Sequence, residues 1–371
     1  MHPPALQVAH GMCYVLCAYD IGLAIDLEAC ARLLATVTER LAIDPKHRTL
    51  QDFGYRPAPL HVTQETPALT FGTYRSETRV DMVLYDFGAV SMTYRIPLQG
   101  PWFGLLGLSD DLYDNSVLLH EARQGVEQLL AVVQGAVRRP HIADFVEDYV
   151  IFQIEAFTTA CRLEELRVTY AQEVAQLLRV EHMPLATQEV QDVLSHQITH
   201  GLDDLIVIDW HAALLYAREA HDVRAVLEFA NVELLEMRYL DERLDAALDQ
   251  AYATLSRRAG RRPRLPGSSS ADLHRIAQMQ VDSAMLFEGV NNALKLLGDQ
   301  HLARVYRLAS QRFHLEEWDA SILRKLHTLE SIYTKIADWT TTRRMETLEW
   351  IIIILIALSI LLPFLAGIPR H

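Results

Sequence analysis

The sequence predicts an α+β fold: an N-terminal mixed α/β region, then a long α-helical hairpin or coiled-coil region, and one C-terminal transmembrane helix. Three observations indicate this class. Short apolar or alternating segments in the N-terminal half are typical of strands. Beyond residue 216 the apolar residues recur almost purely with helical spacing. Residues 350–368 contain no charged side chain. We therefore predict an α+β domain over residues 1–216, a helical region over 217–346 and an anchor over 347–371.

The first elements are a strand and a helix. Residues 12–19 are apolar and aromatic, as in a buried strand. Asp26 is a candidate N-cap for the helix that follows. The apolar stripe of that helix is Leu27, Cys30, Leu34, Val37 and Leu41. Residues 44–67 are rich in proline, which predicts a loop with at most short strands.

A β-hairpin is predicted next. Residues 80–87 are apolar, Gly88 is a turn residue, and residues 90–96 alternate between apolar and other side chains. Residues 109–139 return to helical spacing.

Three further elements complete the N-terminal region. Residues 149–157 predict another strand, and residues 163–178 an amphipathic helix. Residues 205–216 predict a buried strand, although their second half also suits a helix.

The helical region contains a heptad stripe. Asp222 is a candidate cap for a helix reaching about residue 256, and a second helix is predicted over residues 272–297. One position of the heptad is Leu315, Ile322, Leu329 and Ile336. A stripe this regular must be buried, either against helix 272–297 of the same chain or against a second copy. We predict that it makes the protein a homo-oligomer.

The uncharged stretch predicts a membrane anchor. At about 1.5 Å per helical residue it reaches roughly 28 Å, near the hydrocarbon thickness of a bilayer. The alternative is a buried core helix. The N-terminus lacks the basic residues of a signal peptide, so we expect the bulk of the protein on the cytoplasmic side of a bacterial inner membrane. The apolar side chains of the anchor are Trp350, Ile351, Ile352, Ile353, Ile354, Leu355, Ile356, Leu358, Ile360, Leu361, Leu362 and Phe364.

The charge distribution bears on nucleic-acid binding. The formal net charge of −14 argues against wholesale binding, and no specific DNA contact is expected. A local basic cluster lies within the loop predicted over residues 257–270. Its members are Arg257, Arg258, Arg261, Arg262 and Arg264. The cluster is either a solvated loop or a contact for phosphates of anionic lipid or ribosomal RNA.

Candidate chemical sites are sparse. His196 and His200 stand four residues apart, so on a helix they would share one face, as zinc ligands do. The neighbours Asp209 and His211 would point to opposite faces of a strand, which argues against a catalytic dyad. Phosphate-loop and dinucleotide-binding motifs are absent from the sequence. We predict buried free cysteines and no catalytic residue, metal site or cofactor.

Several strings resemble a known family. They are LEWIIIILIALSIL at 348–361, VLYDFGAV at 83–90, DDLIVIDWHAALLY at 203–216, LLEMRYLDERLD at 234–245 and KLHTLESIY at 325–333. The chain resembles the family named after the yeast protein required for meiotic nuclear division, which shares a domain of unknown function. The mitochondrial member is tied to organellar translation, and the lack of a transit peptide in this chain fits a bacterial member. The resemblance implies an anchored scaffold more than an enzyme.

Two other functions compete with a non-enzymatic, self-associating membrane scaffold. One is a membrane-tethered, metal-dependent hydrolase that uses His196 and His200. The other is a ribosome or RNA tether that acts through the arginine-rich loop.

Overall fold

The computed structural model describes residues 6–35, 41–43, 57–201, 203–259 and 300–366, together with the helical positions 277, 278, 281 and 284. The chain forms two compact units. The first comprises Met1–Leu240 and Leu286–Asp319, and the second Asp241–Met285 and Ala320–His371. The predicted combination of a large N-terminal sheet with C-terminal helices is confirmed.

Within the described residues, the first unit contains a nine-stranded sheet. Its strands are β1 (Gln7–Asp20), β3 (Leu41–Ile43), β4 (Leu60–Glu65), β7 (Arg79–Leu84), β8 (Ala89–Pro101), β10 (Glu147–Phe157), β11 (Gln197–Ile198), β12 (Leu205–Ile208) and β13 (Ala212–Tyr216). Two short ribbons accompany it: β2 (Ala24–Ile25) with β9 (Val137–Arg138), and β5 (Thr70–Phe71) with β6 (Tyr74–Arg75). The order across the sheet is β11-β12-β13-β10-β1-β8-β7-β4-β3. Neighbouring strands run antiparallel except β10 and β13, which are parallel.

The structure also describes several helices. They are α1 (Leu27–Leu34), α2 (Gly104–Leu112), α3 (Ser116–Val133), α4 (Ala171–Arg179), α5 (Thr187–Ser195), α6 (His221–Ala259), α7 (Gln300–Arg312) and α8 (Leu315–Ala366). A 3₁₀ turn covers Gln134–Ala136 and a π turn Glu165–Thr169.

One face of the sheet packs on the main hydrophobic core. In β1 the side chains of Cys13, Val15 and Cys17 point to this face, because alternate residues of a strand share a face. Helix α3 contributes Val126 and Leu129 to the same core. All four cysteines are buried and free, as predicted. Burial raises the pKa of the Cys13 and Cys17 thiols, so these groups are inert, structural thiols.

The opposite face of the sheet is covered by the first half of α6. Phe229 of that helix lies against Tyr85, with ring centroids 6.1 Å apart. Thr93 of β8 contacts Glu228 of α6 at 3.4 Å. The central strands are therefore buried on both faces. This unit extends past the boundary predicted at residue 216, because the part of α6 up to Leu240 belongs to it.

The structure confirms the predicted cap of the first helix and corrects the extent of that helix. The Asp26 side chain does cap α1, accepting a hydrogen bond from the Ala29 amide at 2.9 Å. Leu41, which we predicted on the stripe of that helix, instead belongs to β3 and pairs with Gln64. The region predicted as loop with at most short strands contains the six-residue strand β4, which has β7 as its antiparallel partner.

Three longer elements are each divided. The predicted helix over 109–139 is interrupted before α3, where Asn115 accepts hydrogen bonds from two amides of the new helix. The helix predicted over 163–178 consists of the π turn followed by α4. The strand predicted over 205–216 is a hairpin, because Asp209 forms a turn: its amide donates to the Ala212 carbonyl at 2.9 Å.

In the second unit, the later part of α6 and the part of α8 from Ala320 carry the buried side chains. Ile322 and Leu329 of α8 are fully buried, as is Leu244 of α6. Lys325 interrupts the apolar pattern, and its ammonium lies 2.7 Å from the carboxylate of Asp241 and 2.6 Å from that of Asp245. Because its charge is paired with these two carboxylates, Lys325 can lie on the packed face of α8.

The described side chains of the heptad stripe are thus buried within one chain. Leu315 in the first unit is buried, as are Ile322 and Leu329 in the second. The side chain of Ile336 lies outside the described residues. Self-association through this stripe stays a prediction.

The predicted anchor is partly described. Its side chains at Trp350 and at residues 352–356 are between 53% and 64% exposed. The side chains of Ile351, Leu358, Ile360, Leu361, Leu362 and Phe364 lie outside the described residues. In the described part of the chain, no helix combines the length and apolar character that crossing a membrane requires.

Candidate functional site

The two histidines predicted as a helical pair are not on a common helix. Helix α5 ends at Ser195, so His196 follows it and His200 lies in a loop. The Nδ1 atom of His196 is 2.9 Å from the Asp192 carbonyl oxygen, which closes the helix end. The prediction that His196 and His200 share one face of a helix is therefore wrong. Among the described residues, no group of three or more histidine, cysteine or acidic side chains is arranged to hold a metal ion.

The arginine-rich loop lies largely outside the described residues. Arg257 and Arg258 belong to the end of α6, but their side chains are not among those described. Arg261, Arg262 and Arg264 are likewise outside. Their contact with phosphates stays a prediction.

A polar cleft between the sheet and α6 is the best-developed candidate site, and the sequence analysis did not predict it. Strand pairing aligns its floor: Leu16 lies opposite Thr93, Thr93 opposite Asp81, and Asp81 opposite Thr63. Residues that face each other across a sheet point to the same side. The polar side chains of the cleft are Tyr14, His61, Thr63, Asp81, Thr93, Arg95, His221, Arg224 and Glu228.

Arg95 has an acidic partner in the cleft. Its guanidinium donates to the carboxylate of Asp81, its neighbour across β7 and β8, and lies 3.9 Å from Glu77. Its Nε atom is buried, with no hydrogen-bond partner among the described residues. Arg95 therefore retains a donor beyond its ion pair.

Arg224 of α6 is held by neutral groups. Its Cζ atom lies 4.2 Å from the centre of the Tyr14 ring, and its guanidinium donates to the side-chain oxygen of Gln153. The Gln153 amide group donates in turn to the carbonyl of Ala217 at 3.1 Å and that of Arg218 at 3.3 Å. Burial lowers the pKa of Arg224 because its charge is partly removed from water.

Glu228 is the carboxylic acid of the cleft on the helix side. Burial raises its pKa to about 7, which the hydrogen bond from Thr93 counteracts only in part. At neutral pH this group is therefore about half protonated. It combines donor and acceptor capacity with little net charge.

The composition of the cleft supplies groups that can bind a polar ligand. None of the lining residues, all of which belong to the described part of the chain, is serine, cysteine or lysine. The lining does supply two guanidinium groups, three hydroxyl groups and two imidazoles. Such groups hold a polar ligand in a fixed orientation.

A second buried glutamate of α6 gives a test of how this helix is packed. Glu233 accepts a hydrogen bond from the Tyr306 hydroxyl at 2.7 Å, and burial raises its pKa from 4.5 to about 8. Because the folded-state pKa is raised, its contribution to stability is full below the ordinary glutamate pKa and is lost as pH rises through about 8.

We expect Glu233→Gln to unfold at a higher denaturant concentration than the wild type at pH 8, with little difference at pH 5. The gap should grow by on the order of 1 kcal/mol per pH unit between these values, because glutamine cannot ionise. Denaturant unfolding across this range measures it. Glu242→Gln, at an exposed position of the same helix, is the control and should follow the wild type. Parallel profiles for Glu233→Gln and the wild type would contradict the buried, protonated state.

Comparison with known proteins places most of this unit in one family. Residues 10–222 match the family described as the N-terminal domain of the uncharacterized protein MJ0711. The chain belongs to this family. It is similar to the uncharacterized protein MJ0711 of Methanocaldococcus jannaschii, with 24% identity over 191 residues. That alignment covers 51% of this chain, and the chain spans only 58% of the length of that relative. No solved structure matches the chain.

The match to the MJ0711 N-terminal domain family bears on the cleft. Its matched range includes the cleft residues on β1, β4, β7 and β8 and ends just after His221. Arg224 and Glu228 lie beyond it. The sheet side of the cleft is thus within the family domain, and α6 completes the cleft.

Proposed function

We propose that this protein is a non-enzymatic scaffold anchored to a membrane by the C-terminal part of α8. The supporting observation is the consecutive exposure of Trp350 and residues 352–356, each more than half exposed. Successive helical residues point about 100° apart, so such a run presents apolar surface on every side of the helix. Leaving large apolar side chains in water costs about 1.5–3 kcal/mol each relative to full burial. A lipid environment removes that cost around the whole circumference.

Two features of the sequence support lipid over a protein groove as the partner of this segment. The uncharged stretch continues to residue 368, and a groove would cover one side of the helix only. The string at residues 348–361 also resembles the membrane helix of the family named for meiotic nuclear division. We propose a single span, with the bulk of the protein on the cytoplasmic side of a bacterial inner membrane.

Self-association is the second part of the proposal. Because Leu315, Ile322 and Leu329 are buried within the chain, they leave little surface for a second copy. The exposed side chains of Trp350 and of residues 352–356 are the better contact between copies. Tethering in one membrane raises the effective concentration of like chains and so favours pairing.

We expect the full chain to stay in the membrane pellet after carbonate extraction, and a chain ending at residue 346 to move to the supernatant. The truncation removes the apolar run, keeps the first compact unit whole and shortens the second. Met183→Asp in the full chain, at an apolar position that is 71% exposed, is the control and should stay in the pellet. Retention of the truncated chain in the pellet would overturn the proposed anchor.

A further inference from the structure

The cleft beneath α6 contains a cation whose hydrogen bond, among the described residues, goes to a neutral group rather than to a carboxylate. Within the described part of the chain, the contacts of the Arg224 guanidinium are with neutral groups, the Gln153 oxygen and the Tyr14 ring. Arg224 is half-buried, and burial lowers its pKa. A partly desolvated guanidinium without a carboxylate is costly, and it is the state from which an anion gains most on binding.

Among the described residues, the two acids that line the cleft are not hydrogen-bonded to Arg224. Asp81 accepts a hydrogen bond from Arg95, so this carboxylate is already paired with a guanidinium. Burial raises the pKa of Glu228 to about 7, so this second acid carries only part of its charge at neutral pH. The hydrogen bonds of the cleft therefore leave Arg224 without a paired carboxylate, although Glu228 and Glu155 attract its charge from a distance.

Hydrogen-bond donors surround the same space. Tyr14 reaches it from the sheet with a hydroxyl group, whereas the Thr93 hydroxyl group donates to Glu228. The buried Nε atom of Arg95 has no acceptor among the described residues. A planar guanidinium that binds two oxygens at once, with a hydroxyl group beside it, matches an oxyanion in both charge and geometry.

We propose that this cleft is a binding site for the oxyanion group, phosphate or carboxylate, of a small ligand, with Arg224 as its principal contact. Arg95 and the hydroxyl group of Tyr14 complete the shell. The site is independent of the proposed membrane anchor. It would give the sheet unit a ligand-binding role in addition to any scaffold role.

Isothermal titration calorimetry on the full chain in detergent tests this site, with inorganic phosphate and succinate as separate probes at constant ionic strength. We expect saturable binding of at least one probe by the wild type. Arg224→Gln should weaken it about tenfold or more, because a charge-assisted hydrogen bond is lost. Arg304→Gln, at an exposed position of α7 outside the cleft, should bind within about twofold of the wild type. Binding of phosphate alone would assign a phosphorylated ligand, and binding of succinate alone a carboxylate.

Tyr14→Phe serves as a second variant because it keeps the ring beneath Arg224 and removes only the hydroxyl group. It should weaken binding about fivefold, the effect of one neutral hydrogen bond. If Arg224→Gln does not fold, this variant decides, and an unchanged affinity overturns the proposal. The proposal also fails if the wild type binds neither probe at millimolar concentration, or if Arg224→Gln binds as the wild type does.

Discussion

Replacing Leu329 with aspartate should unfold the helices of the second unit. Leu329 is fully buried beside the equally buried Ile322 one heptad earlier. The substitution removes apolar packing and places an unpaired carboxylate away from water. We expect a loss of more than about 4 kcal/mol, which is exceptional for a single substitution and diagnostic of a core position. Circular dichroism during thermal unfolding measures it as a large early loss of helicity.

The matched control for this experiment is Leu323→Asp on the same helix. Leu323 is 48% exposed, so its replacement should leave the melting profile close to that of the wild type. Light scattering on the same samples separates two roles of the stripe. If Leu329→Asp kept its helicity and only reduced the mass of a solubilised oligomer, the stripe would belong to an interface between copies and the intramolecular burial would be contradicted.

Asp209→Asn should destabilise the first unit by about 3–5 kcal/mol, the usual cost of removing one partner from a buried ion pair. Asp209 is completely buried in the turn between β12 and β13. Its carboxylate accepts hydrogen bonds from Arg179 at 3.0 Å and from Arg312 at 2.5 Å. Asparagine would keep the shape of the side chain and leave two arginines without their central negative charge.

A second acid of the network does not substitute for Asp209, and the control is an exposed aspartate outside the network. Asp192 also binds both arginines, at 2.6 Å to Arg179 and 3.1 Å to Arg312, but it is exposed. It cannot replace a fully desolvated carboxylate, since exposed pairs contribute little. Asp203→Asn, at an exposed position, should leave the midpoint of denaturant unfolding unchanged. A midpoint for Asp209→Asn equal to that control would show that the buried network does not stabilise the fold.

The elements that the sequence predicted well are those whose signals are local. The cap at Asp26, the hairpin around Gly88 and the long helix α6 each depend on residues within a few positions of one another. Periodicity reports which side of an element is apolar, and caps report where it begins. Those signals failed where tertiary packing overrides them, as at Leu41, whose strand partner Gln64 is distant in sequence.

The sequence by itself thus determined the combination of an α+β N-terminal region with C-terminal helices, and the burial of the cysteines. Only the tertiary structure decided that α6 covers the second sheet face, which converts the polar side of β8, with Thr93 and Arg95, into the lining of a cleft. It likewise decided that Asp209 meets Arg312, a residue 103 positions away. A periodic pattern states which side chains share a face. It carries no information on which distant element will cover that face, because that choice depends on the summed packing of the whole unit.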